Sequence, residues 1–173
     1  RNLALLCERL EGHPLAIELA ASRLAELTVR EVKDRLRERF ELLGGRASRN
    51  TYRHATLWNA IDWSWQLLDA SEQAALSQIS TFRGGFTLEA AEAVLLLPGD
   101  RDTHDVVEAL WRKSLLSAFV APEAPGQVRL TLLESIQEFA AAKLAAVKGE
   151  ARLRARHAAH YLALGDAWAE AVH

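Results

Sequence analysis

The chain has 173 residues, half of them hydrophobic and a quarter charged, with a net charge of −2. That balance suits a folded domain and excludes a global basic field of the kind that draws in nucleic acid or anionic lipid. No apolar run approaches the ~20 residues of a membrane span and no signal peptide is visible; the single cysteine suits a reducing cytoplasm, which is the expected compartment.

Residues 2–11 read as the end of a helix, with Leu3, Leu6 and Leu10 on one face. The single cysteine, Cys7, excludes an internal disulfide and, lying between Leu6 and Glu8 with no paired base, reads as core filling. Gly12-His13-Pro14-Leu15-Ala16 is then a helix stop followed at once by a helix start. Gly12 can take the positive φ that ends one helix, and Pro14 suits the first position of the next. That second helix runs to about Leu27, with Ile17, Ala20, Leu24 and Leu27 as its apolar stripe. Thr28 and Glu31 form a capping box ahead of Val32, Leu36, Phe40 and Leu43, and Glu31 faces Arg35 one turn on. The mixed charges of 30–41 read as a solvated face. Gly44-Gly45 stops the helix, and 46–55 reads as a polar linker containing a domain boundary.

A second unit follows. Leu57, Ile61, Trp65 and Leu68 mark an amphipathic helix that leaves Trp58 and Trp63 on other faces, where large aromatics often mark an interface. Asp69-x-x-Glu72 opens a helix through Leu76 and Ile79, Phe82–Phe86 is a turn, and Thr87 caps a short helix ending near Leu97-Pro98-Gly99. Thr103 is expected to cap the next helix, which carries Val106, Val107, Leu110 and Trp111. The period then changes to two. Residues 115–121 and 127–133 read as strands joined by Pro122–Gly126, and a helix with Ile136, Ala140, Leu144 and Val147 follows. After Lys148-Gly149, a last helix carries Leu153, His157, Tyr161, Leu164 and Trp168. The expected fold is mainly α: a helical domain over 1–50, a winged helix over 51–148, and a linker with one further helix over 149–173.

GHPLAIELAASRL resembles the GxP ("GLPLA") motif of STAND signal-transduction ATPases, the class that contains the NB-ARC proteins. The stretch from Arg53 to Val94 resembles the winged-helix domain of bacterial STAND regulators, including SARP-type and LuxR-type transcription activators, as does LLESIQEFAAAKL after the hairpin. The last helix resembles the start of the TPR-like repeat region that often follows. The resemblance implies a regulatory fragment of a STAND transcriptional regulator. Gly12, His13, Pro14 and Leu15 would lie on the adenine side of an ADP or ATP site, with Pro14 packing on the base. The winged helix would act as an intramolecular switch between a closed ADP form and an open ATP form. Its partners would be a P-loop domain on the N-terminal side, repeats on the C-terminal side, and other proteins.

Several sites are expected to be missing from this stretch. No G-x-x-x-x-G-K-[ST] occurs, so no phosphate cradle is encoded, and the chain alone is expected to be no enzyme and to bind nucleotide weakly at best. At the family's Met-His-Asp motif the chain has Leu132-Leu133-Glu134, and Leu133 cannot hydrogen-bond a phosphate; it reads instead as a strand-end core residue. The helix a winged domain would use to read DNA covers about 103–113. Over 102–114, Asp102, Asp105 and Glu108 outweigh Arg112 and Lys113, so the sequence argues against direct DNA binding. His157 and His160, crowded by arginines and lacking a third ligand, do not read as a metal site. Two rival readings stand beside the first: a winged-helix factor that reads DNA itself, and a protein-interaction scaffold.

Overall fold

A computed structural model describes Ala4, Cys7, Leu10 and residues 13–35, 49–122, 126–147 and 149–171; for 49–56 and for Ala171 it describes the backbone alone. The described residues are mainly helical with one two-stranded antiparallel sheet. They fall into two compact units: Arg1–Asp69 with Arg112–Leu115, and Ala70–Trp111 with Leu116–His173.

In the first unit, α1 (Pro14–Ser22) starts at the proline and tightens into a 3-10 turn at Arg23–Ala25. Helix α2 follows over 29–35. The Thr28 N–H donates to the Glu31 carboxylate at 2.8 Å, and the Glu31 N–H donates back to the Thr28 hydroxyl at 3.3 Å, so the expected capping box forms. The Thr28 N–H bond, then a bond donated by the Thr28 hydroxyl at 2.7 Å, with Arg35 adding to them, hold the Glu31 carboxyl below the usual carboxylate range. The residues expected to continue that helix and stop it, from Leu36 to Gly45, lie outside the described residues.

Helix α3 (Arg49–Gln66) starts inside the stretch expected to be linker and belongs to the first unit. It packs on α1. Trp63, expected off the buried stripe, is buried at 3% exposure beside Ala16, Ala20 and Ala60, with Leu10 and Val32 completing the cluster; Trp65 is only half-buried. The small side chains of α1 and α3 leave room for an indole, and that space decided the rotation of the helix. Cys7, expected in the core, is exposed; it lies one helical turn ahead of buried Leu10 and beyond that cluster.

The second unit begins with α4 (Ala70–Ile79) and α5 (Leu88–Val94). Thr87 caps α5 by accepting from the Ala90 N–H at 3.2 Å, as expected. Helix α6 (Thr103–Arg112) is capped by Asp102 rather than Thr103: the Asp102 carboxylate, one residue earlier, accepts from the His104 N–H at 2.7 Å. Strands β1 (Ser117–Val120) and β2 (Val128–Thr131) are shorter than expected and pair with Ser117 opposite Thr131 and Val120 opposite Val128.

Beyond β2, Phe86 and Leu130 exchange both backbone hydrogen bonds at 2.8 Å. This extra bridge requires Gly85. Its φ is +77°, and a Cβ there would lie 2.9 Å from the Leu130 carbonyl oxygen and 2.9 Å from the Phe119 ring.

Helix α7 (Glu134–Ala145) packs on α4 through a face that includes Ile136, Phe139 and Ala140. Gln137 also donates to the carbonyls of Ser80 and Phe82, each at 3.3 Å. Leu132 is buried, but Leu133, expected in the core, is 42% exposed, because alternation at the strand end turns it outward as the N-cap of α7. Val147, expected on the buried face of this helix, is exposed beyond its end.

The last helix, α8 (Glu150–Ala171), packs on α5 within the same unit. Its docked half buries Leu153 and places Arg156 on the Ala93 and Val94 carbonyls, where a cation satisfies the orphan oxygens of a helix end. Trp168, further along, is exposed.

Candidate functional site

The first candidate is the His13–Pro14 junction. His13 is extended (φ −69°, ψ 116°); its N–H donates to the Leu10 carbonyl at 2.9 Å and its own carbonyl accepts from Ile17 at 3.0 Å. One helical segment ends and the next begins within three residues, and the missing N–H of Pro14 costs nothing at a helix start. The structure separates the expected site residues. Pro14 is exposed, His13 is half-buried, and Leu15 is buried among the core residues. Gly12 lies outside the described residues. Nδ1 of His13 is shielded from solvent and makes no hydrogen bond among the described residues. The junction therefore offers a flat apolar ring with one polar atom beside it.

At the other end of the helix that Pro14 starts lies a polar interior that sequence reading missed. Arg23 is completely buried and donates through Nη2 to the Ser64 carbonyl at 3.3 Å. Ser22 donates to the Leu19 carbonyl at 2.9 Å and to the Lys113 carbonyl at 3.2 Å. The available signal was an arginine at the end of an otherwise small and apolar run, Ala20-Ala21-Ser22-Arg23.

The second candidate is the face of the second unit formed by α6 and the hairpin. Val106, Val107 and Leu110 turn inward, while Asp105 and Trp111 are exposed and Glu108 is half-buried. Trp111, expected with the apolar stripe, is 51% exposed because it follows Leu110 by 100° around the helix. It lines a cavity of about 240 Å³ with Leu88, His104, Val107, Glu108 and Leu130. That is smaller than the ~300–1,000 Å³ of sites that enclose a drug-sized ligand, and it suits one apolar side chain. The helix that would enter a DNA groove thus presents His104, Asp105, Trp111 and Arg112 to solvent, with no excess of cations.

The histidines of α8 are aromatic packing partners. The His157 ring lies tilted against Phe82, with centroids 5.0 Å apart, and against Tyr161, at 4.8 Å. Burial, with His160 adding to it, pushes the His157 imidazole below its usual range. Among the described residues no helix is long and apolar enough to cross a membrane.

No family model matches the chain. It is 39% identical over 159 residues to a "Putative HTH-type transcriptional regulator" of Mycobacterium tuberculosis, an alignment covering 92% of this chain and 18% of that protein. The Mycobacterium bovis protein of the same description gives the same figures. An "Uncharacterized protein" of Mycobacterium tuberculosis is 36% identical over 140 residues, covering 80% of this chain and 35% of its own length. The chain therefore spans less than a fifth of the HTH-type regulators it matches.

Proposed function

We propose that this chain is a regulatory segment of an HTH-type transcriptional regulator, one whose winged helix works through protein contacts instead of reading DNA. The observation that carries this reading is the outer side of α6, where exposed Asp105 and Trp111 and half-buried Glu108 stand against a single arginine, Arg112, so the helix lacks the excess of cations a DNA reader uses. The similarity to the regulators over 92% of the chain supports the transcriptional setting.

In the longer protein, the exposed ring of Pro14 is one wall of an adenine pocket, with His13 beside it. The phosphate cradle for ADP or ATP belongs to a P-loop domain on the N-terminal side. The winged helix then biases a closed–open equilibrium by making different contacts in the two forms. Pro14→Ala in that longer protein is expected to shorten nucleotide retention; unchanged retention overturns this part of the reading.

A second reading, that the winged helix binds DNA itself, is favoured by the HTH-type description of the relatives. Fluorescence anisotropy of a labelled duplex with the 173-residue chain separates the two. The regulatory reading expects no binding that responds to salt, whereas a DNA reader making 6–10 phosphate contacts would lose roughly 10³–10⁵ in affinity between 50 and 200 mM salt.

A further inference from the structure

We propose that β1 is a self-pairing edge through which two copies of this chain join into one four-stranded antiparallel sheet. The argument begins with hydrogen-bond parity and stands apart from the functional reading above. Leu130 directs both its N–H and its carbonyl to Phe86, so its strand neighbours Arg129 and Thr131 direct theirs to β1. In the register observed, Arg129 faces Phe119 and Thr131 faces Ser117. The backbone groups of Ser117 and Phe119 are therefore used by β2, and those of Ala118 and Val120 point to the open side. The Ala121 N–H, which donates to the Gln127 carbonyl, follows the same alternation. Among the described residues no strand pairs with that side, and every residue of β1 is exposed.

Proteins usually blunt such an edge with lysine, proline or a bulge. Ser117-Ala118-Phe119-Val120 has no charge and no proline, so the four residues themselves do not repel a second strand of the same composition, and Pro122 ends the edge two residues on. The edge is also complementary to itself. Antiparallel pairing about Phe119 sets Ala118 opposite Val120 of the second copy, and Val120 opposite its Ala118. Both are residues whose amides and carbonyls point outward, so four backbone hydrogen bonds close with no shift in register. The small Ala118 leaves space for the facing Val120.

The pleat also puts Ala118, Val120, Val128 and Leu130 on one face, with Val120 and Val128 57% and 58% exposed. That face is continuous through Leu130 with the Trp111-lined cavity. Pairing therefore extends an apolar surface as well as a ladder. Because a four-residue edge is short against the roughly 800 Å² per partner of a stable interface, the association is expected to be weak and concentration-dependent.

The test uses sedimentation velocity on the whole 173-residue chain over a hundredfold range of concentration, with Val120→Pro beside it. Proline at 120 removes an N–H that faces away from β2 and leaves the β1–β2 ladder whole. The wild type is expected to shift from monomer to dimer as concentration rises. Two amide donors are lost per dimer, so Val120→Pro weakens dimerisation by at least about tenfold. Backbone hydrogen exchange on the wild type supplies a readout that needs no variant. The Ala118 and Val120 amides slow as the dimer forms, while the Phe119 amide is slow at every concentration. A monomer throughout the range overturns the proposal. So does a Val120→Pro chain that dimerises like the wild type, or exchange at Ala118 and Val120 that ignores concentration. If Val120→Pro fails to fold, the exchange experiment decides.

Discussion

The two compact units bury different kinds of material. In the second, Phe86, Leu76, Ile79, Leu110, Ile136 and Phe139 are almost completely removed from solvent, as in an ordinary apolar core. In the first, the centre is a tryptophan among alanines, and a completely buried arginine follows the helix that Pro14 starts. Ser64 Oγ and Trp63 Nε1 are buried there without a hydrogen bond among the described residues. Buried polar groups that are incompletely satisfied cost free energy; Thr81 Oγ1 is such a group in the second unit, but the first has more of them among the described residues and is expected to be the less stable. The contrast predicts that the unit carrying the Pro14 junction melts first and the unit carrying the hairpin second.

The largest test of that contrast is a pair of truncations followed by calorimetry. Phe86→Ala should cost about 3–5 kcal/mol in the second unit, lowering the higher-temperature transition. Trp63→Ala carries a similar cost per side chain but acts on the weaker unit, so it should abolish the lower transition and leave the upper one in place. A single transition that moves equally for both variants would break the comparison. Thr28→Ala sharpens it further: loss of the capping box should cost about 1 kcal/mol, read as a downward shift of the lower transition alone.

The smallest effect concerns pH and belongs to the second unit. Burial, with His160 adding to it, holds His157 below its usual range in the folded chain, so the unfolded chain takes up the proton first as pH falls. Stability is therefore full above about pH 6.5, the ordinary histidine value, and declines as pH drops below it toward the folded-state pKa. His157→Phe, which keeps a ring against Phe82 and Tyr161, should flatten that decline in thermal melts between neutral pH and pH 5.

Much of the fold was legible because it rests on local chemistry. The Thr28–Glu31 box, the Thr87 cap and the break between the two strands after Pro122 each need only neighbouring residues, and each lies where expected. What escaped depends on distant partners. The rotation of α3 that buries Trp63 is set by alanines some forty residues away in sequence, which no period within α3 can reveal. Arg23 is similar: its burial follows from α3 crossing above it, and its own helix reads as an amphipathic surface. At the junction, the glycine and proline foresaw the helix start but could not say which of its residues faces out. The structure turns Pro14 to solvent and Leu15 inward. The capping shift from Thr103 to Asp102 is a difference of one residue, a common margin where two candidate caps are adjacent.

The close approach at Gly85 bears on how this hairpin can evolve. Because its left-handed backbone is overlaid by the Phe119 ring and the Leu130 carbonyl, every substitution there pushes the hairpin off the turn that precedes α5. Gly126, at the far tip, also has a positive φ, but a methyl added there would meet nothing within 4 Å, so asparagine or aspartate would fit with modest strain. Drift in this lineage should therefore accumulate at the tip and spare the root, leaving a wing whose ornament varies while its angle of attachment is inherited unchanged.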